Sequence, residues 1–308
     1  MKAAILETHG GPEVLRIAEM PDPVPAPDEV VVDIHVASVN AADAKKRAGG
    51  GVYKIEKFPH ILGRDFSGVV SAAGPAVTDL RVGDAVFGVT LQSREGAYAE
   101  KIAIPAAIVA RKPSSLGDAE AAALALTGLT ALWAVEDTAK LKRGETILIQ
   151  GGAGGVASVA IQLAKHLGAT VVTTASRANH DYVRGLGADR VIDYATQDFT
   201  TAAPPCDVVF DTVGGDVQTR SYKVLKPGGR LVWIAAGPPG AKPPRQDVET
   251  LRPDVRRDRA HLERLLQLVA AGAIRPPAIT RYKLADVVQA HRISDSRHLQ
   301  GKLVLQVR

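Results

Sequence analysis

The sequence predicts an α/β protein in two parts: a compact, β-barrel-like first part, then a doubly wound parallel sheet with helices on both faces. Three observations carry this. Residues 1–110 hold short runs of strand length punctuated by turn residues. Beyond about residue 115, β-branched apolar runs alternate with helical periodicities, the pattern of a parallel sheet. Within that half, Thr146–Thr174 reads strand, glycine turn, helix, strand. Ile147–Ile149 is a buried-strand run, and Gly151, Gly152, Ala153, Gly154 and Gly155 make the turn. Val156, Val159, Ala160, Leu163, Ala164 and Leu167 then recur on one helical face, and Gly168 stops the helix.

In the first part the predicted strands are Lys2–Ile5, Glu29–Ala37, Ser67–Ala72, Ala85–Val89 and Glu100–Ile104, with a short helix over Ala41–Arg47. The proline-rich run from Pro21 to Pro27 is a stiff extended connection. Gly74-Pro75 and Val82-Gly83-Asp84 are turns. In the second part, Asp118–Ala125 and Thr130–Leu141 predict two helical segments. After the glycine unit come helix His180–Gly185, strand Arg190–Asp193, strand Asp207–Asp211 and helix Gln218–Leu225. Lys226-Pro227-Gly228-Gly229 predicts a stop-and-turn before strand Arg230–Ala235, and Gly237–Pro244 a loop. Arg256–Ala271 is an amphipathic helix, followed by strand Ile279–Tyr282, helix Leu284–Ala290 and strand Lys302–Val307.

A chain of 308 residues has room for two domains. Its 46% apolar and 23% charged content is that of an ordinary soluble globular protein. No apolar run reads as a membrane span, and MKAAILETHGG is a poor signal peptide, so a cytoplasmic protein is expected. The net charge of +5 is modest and no block of five like charges appears, so no nucleic-acid partner is expected. The single cysteine, Cys206, permits no internal disulfide and no Cys₂His or Cys₄ zinc site within one chain. Its place before an apolar strand predicts a partly buried structural thiol.

The glycine turn carries the chemistry. Gly152-x-Gly154-x-x-Ala157 has the dinucleotide-binding spacing and opens a helix between two β-branched strands. A pyrophosphate sits against such a helix N-terminus, where unpaired N–H groups and the helix dipole favour an anion. Gly152, Ala153, Gly154, Gly155 and Val156 are therefore the expected cradle. An Asp or Glu after the second strand would bond a ribose 2′-OH. Here Ala175 is followed by Ser176, Arg177, Ala178, Asn179 and His180, with no acid before Asp181. Ser176 and Arg177 suit a 2′-phosphate, so NADP(H) is the expected cofactor. Val213-Gly214-Gly215 and Ala235-Ala236-Gly237 end later strands and are expected to line the same trough with their backbones.

Further segments add a resemblance. They are Gly10–Leu15 (GGPEVL), Val39–Asp43 (VNAAD), Gly63–Gly68 (GRDFSG), Gly83–Val86 (GDAV), Gly128–Ala131 (GLTA) and Leu186–Asp189 (LGAD). Val191–Tyr194 (VIDY) and Gly301–Leu305 (GKLVL) complete the set. With the glycine turn, the chain resembles the zinc-independent medium-chain dehydrogenase/reductases, in the NADPH:quinone oxidoreductase (zeta-crystallin-like) branch. That resemblance implies a GroES-like domain over 1–115, a Rossmann NADP-binding domain over 116–275, and a segment 276–308 that returns to the first. It also implies a cofactor held between the domains, and commonly a homodimer. Zinc-dependent cousins carry Cys, His and Glu where this chain has Asn40, Arg64 and Asp65, and have a four-cysteine lobe that is missing here. The chain departs from the branch at Gly152, usually Ala, at Ala157, usually Gly, and in extra glycine before Tyr53.

The reaction implied is hydride transfer from NADPH to a quinone or a conjugated enone or enal. By the same resemblance Asn40 and Tyr53 are candidate hydrogen-bond donors to the substrate oxygen, with Asp43 as a third candidate catalytic residue. Thr127 and Thr130 fall beside the nicotinamide–ribose region, Tyr194 near the adenosine phosphate, and Lys302 toward the cofactor. No metal is expected. An enoyl-thioester reductase is the alternative enzyme; it needs a positive patch, which Lys242, Arg245, Arg252, Arg256, Arg257 and Arg259 could supply. An NADPH-binding structural or RNA-associated protein is the alternative without turnover.

Overall fold

The computed structural model describes residues 1–49, 55–92, 94, 96–235 and 244–308. The chain divides into two units, Met1–Leu126 with Arg257–Arg264 and Pro276–Arg308, and Thr127–Arg256 with Leu265–Arg275.

The first unit is built on one strand, Glu29–Val39, whose sequence EVVVDIHVASV is buried along most of both faces. Continuous β-branched residues of this kind favour a strand covered on both sides. It pairs antiparallel with Asp65–Ala73 along nearly its whole length. Lys101–Pro105 pairs with its first half and Lys302–Gln306 with its last four residues. Ala85–Val89 and Val109–Arg111 extend the sheet beyond Asp65–Ala73, and Ile279–Lys283 lies parallel to Lys302–Gln306 at the other edge. Strands Arg16–Glu19, Lys2–Leu6 and His60–Ile61 form a smaller antiparallel sheet. One core joins Leu6, Val32, Ile34, Phe66, Tyr98, Val287 and Leu303.

The second unit is a six-stranded parallel sheet. Its spatial order is Arg190–Asp193, Thr170–Ala175, Thr146–Gln150, Cys206–Asp211, Leu225–Trp233, Glu249–Leu251. Successive strands move one way from Thr146–Gln150 and then resume on its other side, so the order reverses at that strand. Helix Gly155–His166 follows the glycine turn, buries Ala157, Val159, Ala160 and Leu163, and ends at Gly168 with φ +85°.

Several elements differ from expectation. The two helical segments are one helix, Asp118–Leu132, continued by a π-helical turn over Trp133–Thr138. Gly128 does not break it; a Cβ there would lie 2.3 Å from Leu265 Cδ2, so the glycine makes room for helix Arg259–Ala270. The 21 residues Asp118–Thr138 are long and apolar enough to span a membrane, contrary to expectation, but 72% of the window is buried inside the protein. That is the signature of a core helix. Lys226–Gly229 is not a turn ahead of a strand but lies inside strand Leu225–Trp233. The register there passes from Cys206↔Leu225 to Val208↔Arg230, and the extra residues form a bulge. Helix Asp216–Ser221 starts and stops earlier than predicted, helix Val287–Ser296 later, and strand Glu249–Leu251 has no alternation long enough to show in sequence.

Gly68 marks a tight crossing in the first unit. A Cβ there would stand 2.0 Å from the carbonyl oxygen of Asp33, beside the register irregularity at Ile34/Val36. Backbone cannot yield as a side-chain tip can, so Gly68→Ala is expected to destabilise by about 2 kcal/mol or more. Urea unfolding followed by tryptophan fluorescence checks this.

Candidate cofactor site and a buried polar cluster

In the second unit the predicted cofactor residues converge on the carboxyl edge of the parallel sheet. Gly152 and Ala153 follow strand Thr146–Gln150; Ser176 and Arg177 follow Thr170–Ala175. Tyr194 follows Arg190–Asp193, Val213 and Gly214 follow Cys206–Asp211, and Ala235 lies two residues past Trp233. In open parallel sheets this edge, at the strand-order reversal, is where ligands bind. Tyr194 and Val213, 51% and 50% exposed, have not been drawn into the core. Thr127 and Thr130 are buried on helix Asp118–Leu132. Ala236 and Tyr53 lie outside the described residues.

The glycine turn is held from behind by a relay of oriented hydrogen bonds. Gly151 N–H donates to Thr174 Oγ1 (3.0 Å), and Thr174 Oγ1 donates to Gln150 Oε1 (2.8 Å). Gln150 Nε2 donates to Ser221 Oγ (3.2 Å), which donates to the Val217 carbonyl (2.7 Å). Gln150, polar at the end of the apolar run TILIQ and 1% exposed, thus ties the turn to strand Thr170–Ala175 on one side and helix Asp216–Ser221 on the other. Asp211 closes the next loop by accepting from Val213 N–H (2.9 Å) and Gly214 N–H (3.0 Å). Burial raises its carboxyl above the ordinary range, against those two N–H groups.

Does this edge fit a dinucleotide? The N-cap of helix Gly155–His166 is Gly154, with no side-chain cap, so the first N–H groups are left for a ligand or solvent. Gly154 and Gly155 are partly exposed, and a Cβ on Gly154 would approach only Gly151 O, at 3.4 Å. A pyrophosphate is suited to such a start. The unusual Gly152 also has a local cause. A Cβ there would meet Thr173 Oγ1 at 2.2 Å, because that hydroxyl fills the space while donating to Ile149 O (2.6 Å). Gly152→Ala is therefore expected to cost about 1–3 kcal/mol, and adding Thr173→Ala to recover part of it, measured by urea unfolding.

In the first unit, strand Lys302–Gln306 runs antiparallel to the end of Glu29–Val39, with Leu303 opposite Val39. This sets Lys302 beside Asn40. Lys302 Nζ donates to Val39 O and to Asn40 Oδ1, both at 2.7 Å. An ammonium can only donate, so the Asn40 amide must turn its oxygen to Lys302. Its nitrogen then donates to Asp65 Oδ1 (2.8 Å), which also accepts from Ser38 Oγ (2.7 Å). Asn40 Nδ2 lies 3.4 Å from Ser38 O as well. Asn40, half-buried, is thus fixed on both ends of its amide.

Asp43 has no exposed surface. With Asn40 it forms a capping box at helix Ala41–Arg47, its Oδ2 accepting from Asn40 N–H (2.9 Å). The same oxygen accepts from Tyr98 Oη (2.9 Å), and Arg64 Nε stands 3.5 Å from Oδ1. Asp43, a candidate catalytic residue by the resemblance, is thus enclosed by Asn40, Tyr98 and Arg64. Burial pushes its carboxyl up to about 6, with Arg64 opposing. Burial lowers the Lys302 ammonium, with Asp65 and Asp43 opposing. The far end of the short helix is pinned by Arg47, which donates to His291 Nδ1 and Asp295 Oδ2, both at 2.7 Å.

A carboxyl with a raised native pKa holds its proton in the folded state where the unfolded chain has lost it. Stability from Asp43 is therefore complete below about pH 4 and falls as pH rises to about 6, by up to roughly 3 kcal/mol. Asp43→Asn is expected to flatten that fall, read as Tm against pH from 4 to 7.

The donor set does not suit zinc. Asn40 offers an amide oxygen already bonded to an ammonium, Arg64 offers no lone pair, and two cations sit within the cluster. Among the described residues no group of three or more His, Cys, Asp or Glu could hold a metal. Cys206 is buried, burial pushes its thiol up to about 12, and it donates to Pro204 O.

Comparison with known proteins agrees with both halves. The alcohol dehydrogenase GroES-like domain matches residues 26–114, and the zinc-binding dehydrogenase domain matches 186–305. An Arabidopsis thaliana protein named NADPH-dependent alkenal/one oxidoreductase, chloroplastic, is 34% identical over 318 residues, covering 99% of this chain and 79% of its own. The chain belongs to the medium-chain dehydrogenase/reductase family. Within that family, the quinone oxidoreductase from Coxiella burnetii is similar in structure, with TM-score 0.94, 35% identity and 100% and 99% of the two chains covered. The Escherichia coli quinone oxidoreductase complexed with NADPH gives TM-score 0.90 and 29% identity over 100% of both chains. The fold is the family's: a GroES-like domain and a parallel-sheet Rossmann domain.

Sequence reasoning did not single out Gln150, Tyr98 or His180. Gln150 had a signal, a polar residue ending an apolar strand. Tyr98 had none, because its partner Asp43 is 55 residues away.

Proposed function

We propose that this family member is a zinc-independent, NADPH-dependent oxidoreductase that reduces quinones or conjugated enones and enals. The observation that carries the cofactor is the acid-free edge at Ser176–Arg177, next to a glycine turn that fits a pyrophosphate. The named activities of the Arabidopsis, Coxiella and E. coli relatives support the substrate class. NADPH, when bound, supplies the hydride. Gly152, Ala153, Gly154, Gly155 and Val156 receive the pyrophosphate, and Ser176, Arg177 and Tyr194 the adenosine end. Val213, Gly214 and Ala235 line the trough by their backbones, and Thr127 and Thr130 serve the nicotinamide end.

On the substrate side we assign Asn40 and Tyr53 to the oxygen that gains charge, since a placed donor lowers such a barrier. Lys302 orients the Asn40 amide; Asp65 holds its other end, and Asp43 supports both through the helix start. Metal is not required, for the reasons of donor chemistry above. The enoyl-thioester alternative has less support, because three of the six residues of its basic patch are paired with acids. Arg245 pairs with Asp247, Arg256 with Asp254 and Arg259 with Asp79, while Arg252 stacks on Trp233. Lys242 lies outside the described residues. A homodimer and a cytoplasmic location are proposed on the family resemblance.

Following NADPH absorbance with para-quinones, alkenals, cyclic enones and enoyl thioesters tests the substrate class. Turnover of quinones or alkenals with none of the thioesters is expected; turnover of thioesters alone would replace this reading by the alternative. Arg177→Ala is expected to raise KM for NADPH at least tenfold, about 1.4 kcal/mol, and to leave KM for NADH nearly unchanged. Equal effects on the two cofactors would remove the 2′-phosphate assignment.

A further inference from the structure

We infer that His180 is a positioning residue for NADP(H) selectivity: it holds the Arg177 guanidinium where a 2′-phosphate binds. This rests on the cofactor assignment above and adds a residue to it.

The two residues meet within a tight turn. Ser176 ends strand Thr170–Ala175, Arg177–Asn179 form a single 3₁₀ turn, and His180 opens helix His180–Gly185. Arg177 is exposed, and His180 is 5% exposed. Arg177 Nη1 lies 3.4 Å from His180 Nδ1, and among the described residues this imidazole is its one polar partner. A guanidinium has no lone pair to offer, so Nδ1 must be the acceptor. A neutral imidazole accepting at Nδ1 carries its proton on Nε2.

That assignment exposes a cost. Nε2 is buried and has no hydrogen-bond partner among the described residues. A buried donor without a partner loses its hydration and gains nothing back, so an apolar side chain would suit the position better if packing were all it did. What the imidazole offers in return is the Nδ1 acceptor aimed at Arg177. A long arginine on a surface turn otherwise spends rotamer entropy when it engages an anion. Held beforehand, it pays less of that cost when the ligand arrives. The neighbouring Ser176 hydroxyl is likewise held, accepting from Asn179 Nδ2 at 3.0 Å. The turn thus presents a hydroxyl and a guanidinium, each braced by the residue three positions on.

The test measures binding, not turnover. Titration calorimetry with NADP⁺, NAD⁺ and adenosine 2′,5′-bisphosphate is run on the wild type and on Arg177→Ala, His180→Leu, His180→Gln and His180→Asn. Leu removes the acceptor. Gln places its amide near Nε2 and leaves the Nδ1 place empty. Asn puts Oδ1 near Nδ1. We expect His180→Leu and His180→Gln to weaken NADP⁺ and the bisphosphate about tenfold and to leave NAD⁺ within about twofold. His180→Asn is expected to restore most of the loss. In an Arg177→Ala background, His180→Gln is expected to add no further discrimination, since the two act as one unit. Equal weakening of NADP⁺ and NAD⁺, or no weakening by either Leu or Gln, would overturn the inference while Arg177→Ala still discriminates. If Arg177→Ala itself fails to discriminate, the phosphate assignment falls, and the inference with it.

Discussion

The reversal of strand order at Thr146–Gln150 is the constraint on which the second unit's chemistry depends. Parallel strands need crossovers, and crossovers are right-handed. Two sets of them leaving one strand in opposite directions must part at its carboxyl end. The loops after Gln150, Ala175 and Asp211 lie at that end. The backbone groups released at that edge need partners, and the protein supplies some from within. Asp211 takes two N–H groups, and Thr174 takes that of Gly151. The start of helix Gly155–His166 is left without a side-chain cap. A helix start of this kind is suited to an anion.

In the first unit the organising cost is electrostatic. Asp43, Asp65, Arg64 and Lys302 are each at most 4% exposed. Charges so placed are tolerated only with partners and hydrogen bonds, and removing one strands the others. Every polar atom of Asn40's side chain is consequently spoken for. The cluster fixes an amide in a half-exposed position with no freedom to flip, which is what a site on a rigid scaffold requires.

How much of this could be read from the residues? The glycine unit could, because its signals are local: a β-branched run, glycines, a one-faced helix and Gly168 all lie within thirty residues. Helix Ala41–Arg47 and strand Ala85–Val89 were legible end to end for the same reason. The continuity of helix Asp118–Leu132 through Gly128 was not legible. A helix-interior glycine looks like a break until Leu265, far along the chain, is seen to need the space. Lys226–Gly229 looked like a turn, because a bulge uses the same residues that end strands. The site divided along the same line. Arg177 could be named from what is missing after a strand, whereas the supporting place of Asp43 depends on Tyr98 and Arg64, whose proximity no spacing announces. Lys302 could be named only by resemblance, and its bond to Asn40 is a matter of sheet register.

That bond also bears on how the protein is made. Lys302 and Asn40 are 262 residues apart in the chain. At ribosomal speeds, roughly 13–50 s separate their emergence. Throughout that interval the strand Glu29–Val39 lacks its last neighbour, and the buried acids lack the Lys302 ammonium, with Arg64 the cation already beside Asp43. The parallel sheet, whose strands follow one another closely in sequence, can assemble meanwhile. The strand Glu29–Val39 is thus made early and completed late, and a nascent chain would present its unpaired end to chaperones until Lys302–Gln306 has been made.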